Sequence, residues 1–74
     1  METYYIVRVR VGSETCYARY AGAYELTPCF GDAHMYRVRF RAEALANHYK
    51  ALGYEVDICE LEFKGSYEVY HEQQ

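Results

Sequence analysis

Tryptophan is absent, proline occurs once, and the three cysteines are spaced too widely for a C-x-x-C pair. Each scarcity removes a class of answer. Cys16, Cys29 and Cys59 are an odd set, whereas a small secreted domain carries an even disulfide framework. The thiols are therefore expected reduced and mostly buried, in a cytoplasmic protein. A zinc site from Cys16, Cys29, His34 and Cys59 would have none of the spacing of a zinc knuckle, so no metal and no cofactor is expected. No apolar run approaches about 18 residues and no charged-then-apolar leader opens the chain, so neither a membrane span nor a signal peptide is read. No glycine-rich loop is present to cradle a phosphate.

Length sets a further bound. Seventy-four residues form a single domain, 1–74, and a chain of this size buries roughly 60% of its unfolded surface. Little scaffold is left to wall an enzyme cleft.

What the chain has in excess is tyrosine: ten, against three phenylalanines. A plain core uses Leu, Ile and Val, which carry no hydroxyl to satisfy, so several tyrosines are expected half exposed, where a ring gives contact area at low entropy cost. Charge is unevenly placed. Residues 1–41 hold six Arg against four acids, and residues 42–74 hold two Lys against seven acids, within a net charge of −3. An acidic chain is a poor general ligand for nucleic acid, because phosphate contacts must overcome overall repulsion.

Taken in order, Tyr4 to Val11 reads as a strand, with Tyr5, Val7, Val9 and Val11 on one face and Tyr4, Ile6, Arg8 and Arg10 on the other. Thr15 to Ala21 reads as its hairpin partner. With Ser13 and Glu14 in the loop, Val11, Val9 and Val7 would face Cys16, Ala18 and Tyr20. Gly22 to Leu26 reads as a short third strand, ended by Thr27-Pro28. A loop around Gly31-Asp32 follows, with Phe30 as a plug over the core. Tyr36 to Phe40 alternates as a strand, with Tyr36, Val38 and Phe40 inward and Arg37 and Arg39 outward. These arginines, with Arg41, are expected to pair with the later acidic strand.

Ala42 to Leu52 carries a helical stripe of Ala42, Leu45, Ala46, Tyr49 and Leu52, closed by Gly53. No good N-cap residue precedes it. Tyr54 to Phe63 is the final strand. Its alternation breaks, and a bulge near Cys59-Glu60 would return Leu61 and Phe63 to the face of Val56 and Ile58, leaving Glu55, Asp57 and Glu62 outward. Residues 65–74 form either an edge strand or a frayed tail. The class is α+β: an antiparallel sheet of about four strands, β-β-(β)-β-α-β, with one helix across one face.

No nucleophile, base and orienting group stand together in this pattern, so no catalytic residue is assigned and the chain is read as a non-enzyme. His34 near Cys29 lacks a local signature, and Glu60 with Glu62 would need a deep cleft. The open sheet face interleaves Tyr4, Arg8, Arg10, Tyr17 and Arg19. With Tyr24, Tyr67 and Tyr70 it has the composition of a protein interface. The acids Glu55, Asp57 and Glu62 offer a second contact surface, able to imitate a nucleic-acid backbone. Single-strand binding on the Tyr/Arg face is the alternative, and a homodimer through a sheet edge would use the same tyrosines.

The run RAEALANHYKALGYEVDICEL, preceded by a strand ending in Phe40, resembles a recurrent type of small phage and prophage protein. These show a tyrosine-rich hairpin, a helix opening on Phe and Glu-Ala and ending in Leu-Gly-Tyr, and an acidic last strand. Where such helices begin with Ser or Thr, this one has Phe40-Arg41-Ala42. The resemblance implies an anti-defence inhibitor of the anti-CRISPR kind. Such a protein would bind a host protein or ribonucleoprotein in the host cytoplasm and block a CRISPR-Cas-like nuclease complex.

Overall fold

A computed structural model describes residues 2–19, 25–64 and 67–73, with Lys64 and 67–73 given by their backbone alone. Strand β1 (Glu2–Val11) is the centre of the sheet, flanked by β2 (Glu14–Ala18) and β4 (Glu55–Lys64). The two-residue β3 (Leu26–Thr27) and β5 (Tyr67–Gln73) lie outside them, giving the order β3-β2-β1-β4-β5 with every neighbour antiparallel. One helix, α1 (Arg39–Ala51), packs across β1 and β4. The fold is α+β, an antiparallel sheet with one helix against it. The proposed third strand at 22–26 lies largely outside the described residues, and Thr27, expected as its terminator, is paired with Tyr17.

The hairpin turns one residue earlier than the sequence reading placed it. Gly12 and Ser13 form the two-residue loop, and Gly12 takes a φ of 62°, the left-handed conformation such loops demand. Val11 therefore faces Glu14, Val9 faces Cys16 and Arg8 faces Tyr17. The shift from the expected register is two residues. Because side chains alternate with a period of two, the apolar face is preserved.

Strand β4 runs without the expected bulge. Its ladder with β1 is unbroken from Arg10↔Glu55 to Glu2↔Phe63. Cys59, Leu61 and Phe63 thus share the face of Tyr4 and Ile6, away from the helix, and Glu60 and Glu62 share the helix side with Val56 and Ile58. No bulge is needed because both faces of the sheet carry apolar side chains. One cluster, under the helix, joins Val7, Val9, Ala18, Tyr36, Leu45, Ala46, Tyr49 and Ile58. The other joins Ile6, Cys59 and Leu61, at 1%, 0% and 2% exposure, with Tyr4, Tyr17, Ala33 and Phe63 packed around them. The uninterrupted run Tyr4-Tyr5-Ile6-Val7 is the local signature of a strand buried on both sides.

Residues 36–40 do not form a strand. Tyr36 makes a single bridge to Tyr5, exchanging both backbone bonds at 2.7 and 2.8 Å, and its side chain enters the core. The helix then begins at Arg39, three residues earlier than its apolar stripe suggested. Val38 and Phe40, expected inward, are exposed. Val38 is the N-cap residue and provides no side-chain cap. Ala42, Leu45, Ala46 and Tyr49 are buried as their spacing requires, whereas Leu52 falls beyond the last turn and is exposed. At the helix end Tyr54 N–H donates to the Tyr49 carbonyl at 3.2 Å and Gly53 N–H to that of Lys50 at 3.0 Å. That is a Schellman closure with Gly53 at a φ of 96°.

Candidate protein-binding surface

The face away from the helix gathers several of the residues that composition pointed to, and it ties them to one another. Arg8 and Asp57 are direct cross-strand partners joined by two hydrogen bonds, Nε donating to Oδ1 at 2.7 Å and Nη2 to Oδ2. The Tyr4 ring stands edge-on to Phe63 with centroids 5.3 Å apart, and the Arg37 guanidinium lies 4.9 Å from its centre. Tyr17 packs edge-on against Phe30 at 5.2 Å, so Phe30 caps the second cluster and keeps one side in solvent. Arg19 reaches Glu25 at 3.2 Å at the surface. Arg10 is exposed, with Glu55 as its cross-strand neighbour.

Glu62 does not join Glu55 and Asp57. The unbroken ladder puts it on the helix side, so the acidic strand is two short groups on opposite faces, not one stripe. Of the arginines after Tyr36, Arg37 lies over the Tyr4 ring, and Arg39 reaches Glu43 at 3.3 Å along the helix and lies 5.7 Å from the Tyr5 ring centre. Tyr24 lies outside the described residues, and Tyr67 and Tyr70 are described by backbone alone.

A different surface holds the most exposed of the large apolar side chains among the described residues. Between α1 and β4 runs a groove of about 470 Å³, with buried Ala46 and Ile58 in its floor, the charged Arg39, Glu43, Lys50 and Asp57 along its walls, and Phe40, Ala44, Asn47 and Val56 beside them. Phe40 is 75% exposed, more than any other large apolar side chain among the described residues. Helical geometry explains its position. Phe40 is two residues before Ala42, about 200° around the helix from the buried stripe. Counted with the helix, and not as the last residue of an alternating strand, it would have been placed outside from the sequence. Strand β5 follows β4 only from Lys64 to Ile58. Glu55–Asp57 thus have no outer neighbour among the described residues, and this open edge borders the groove.

Cys16 and Cys59 are buried and Cys29 is exposed, all as free thiols. Among the described residues no group of three or more His, Cys, Asp and Glu side chains could hold a metal ion. No described helix is long and apolar enough to cross a membrane. No protein-family model, curated protein sequence or solved structure matches the chain.

Proposed function

We propose that this chain is a non-enzymatic protein-binding module whose contact surface is the α1/β4 groove rimmed by Phe40. The observation that carries the reading is Phe40 itself, a large aromatic side chain left 75% in water beside an open groove. An exposed aromatic ring beside a groove is the kind of anchor that dominates binding energy in interaction sites. The Tyr/Arg face is a weaker candidate, because its rings and its Arg8–Asp57 pair are already engaged within the chain. Stacking single-stranded bases there would require displacing Arg37 from Tyr4 and opening the edge-to-face pairs.

The partner belongs, in this reading, to a host defence nuclease complex, and the chain inhibits it in the host cytoplasm. The resemblance of RAEALANHYKALGYEVDICEL to small phage proteins supports this assignment. Direct binding is favoured over nucleic-acid mimicry, since mimicry needs a continuous row of carboxylates and these divide between two faces. The test is capture from a host lysate with the wild-type chain and with Phe40→Glu, followed by mass spectrometry. A defence-complex protein recovered by the wild type and lost with the variant supports the reading. Recovery of nucleic acid without protein overturns it.

A further inference from the structure

We infer that the first turn of α1 takes an acidic segment of the partner, its carboxylates meeting Arg41 and Arg37 while an apolar side chain between them covers Phe40. This inference rests on the protein-binding reading above and names the chemistry of the partner.

The six arginines of the chain fall into two groups. Arg8 has Asp57 across the ladder, Arg19 has Glu25 at 3.2 Å, and Arg10 has Glu55 as its cross-strand neighbour. The other three follow at alternate positions, 37, 39 and 41, where the chain leaves the sheet and enters the helix. Arg37 lies over the Tyr4 ring, which holds a guanidinium in place without cancelling its charge. Arg39 reaches Glu43 in an exposed pair, the kind that yields readily to a competing carboxylate. Arg41 is exposed and makes no ion pair among the described residues. No acid lies in the first turn. From Met35 to Glu43 the chain therefore sets three arginines against one acid.

Apolar surface is interleaved with this charge. Met35, Val38 and Phe40 are all exposed. Within the helix Arg39 and Arg41 stand about 100° to either side of Phe40, so the ring projects between two cationic side chains. An aromatic anchor beside arginines has the composition of an interface hot spot. Charge complementarity selects the occupant. A nucleic acid or an anionic bilayer carries its charge well past the patch. It would meet Glu43 and also Glu2, which accepts a hydrogen bond from the Tyr4 hydroxyl at 3.0 Å, on a chain whose net charge is −3. A short acidic segment of protein presents its carboxylates to the arginines alone. Its own apolar side chain then takes the Phe40 ring out of water.

The probe is the peptide acetyl-Glu-Asp-Leu-Glu-Asp-amide, titrated into the full ¹⁵N-labelled chain at low salt. Amide shifts centred on Val38, Arg39, Phe40 and Arg41 are expected, fading as salt is raised. The neutral peptide acetyl-Gln-Asn-Leu-Gln-Asn-amide should bind at least about fivefold more weakly. Arg41→Gln should weaken the acidic peptide about twofold to fivefold, and Phe40→Ser about fivefold to tenfold. The double variant Arg37→Glu, Arg41→Glu should instead prefer acetyl-Lys-Lys-Leu-Lys-Lys-amide, a reversal that a misfolded chain would not give. Shifts centred on Tyr17 and Phe63, equal binding of the acidic and neutral peptides, or no shifts at millimolar peptide would each overturn the inference. So would tighter Arg41-dependent binding of an oligothymidylate or of phosphatidylserine vesicles. Phe40-dependent capture of a protein together with any of these results would leave the binding-module reading standing and remove the acidic-partner proposal alone.

Discussion

Arg8 and Asp57 meet across β1 and β4 with a bidentate geometry on the face the helix does not cover, at 19% and 25% side-chain exposure. They are 49 positions apart in sequence. A pair this well shielded differs from a surface ion pair, because removing one member leaves the other charge partly desolvated. Arg8→Leu and Asp57→Leu should each destabilise the fold by about 1–3 kcal/mol. The double replacement should recover much of that loss, a coupling of about 1–2 kcal/mol in a urea-denaturation cycle. Additive effects would show that the pair contributes nothing to stability.

The second apolar cluster should behave as core. Leu61→Ala is expected to cost about 2–5 kcal/mol, as a buried leucine does when a cavity is left behind. For a chain of this size that is a fall in Tm of roughly 4–8 °C per kcal/mol by calorimetry. A loss below about 1 kcal/mol would mean that the face is held open to solvent.

Val38 offers a gain. It stands at the helix N-cap in an extended conformation, φ −112° and ψ 118°, with no side chain bonding the first turn. Val38→Asp supplies an acceptor for those N–H groups and a negative charge at the positive end of the helix dipole. Stability should rise by about 0.5–2 kcal/mol, read as a higher denaturation midpoint with unchanged slope.

Phe40→Ser separates stability from binding. The side chain is mostly in water, and Ser and Phe have similar helix propensities, so stability should change by less than about 0.5 kcal/mol. Partner capture should fall sharply. A variant that unfolds would place Phe40 in the core, and one that binds unchanged would move the contact surface elsewhere.

Much of this fold was legible in the sequence, where a period had length enough to speak. Ala42, Leu45, Ala46 and Tyr49 announce the buried helix stripe, and Gly53 its end. The alternation of Val7 and Val9 announces one face of β1. Failure came where a short pattern suited two periods at once. Tyr36 to Phe40 alternates over five residues, but only Tyr36 bridges to β1, at Tyr5, and from Arg39 the chain is already helical. A bulge in β4 is required only if the sheet has one apolar face, whereas Ile6, Cys59 and Leu61 give it a second. Phe40 shows the same ambiguity: strand alternation points it inward, and helical counting sends it outward.

Strand β1 lies between a neighbour made moments later in the chain and one made near its far end. The β1–β2 hairpin closes over Gly12 and Ser13 and can form within about 1–10 μs. The β1–β4 ladder instead ties residues 2–10 to 55–63 and must first close the long intervening loop. The long-range ladder is therefore expected to form after the hairpin, leaving one edge of the central strand unpaired until β4 reaches it.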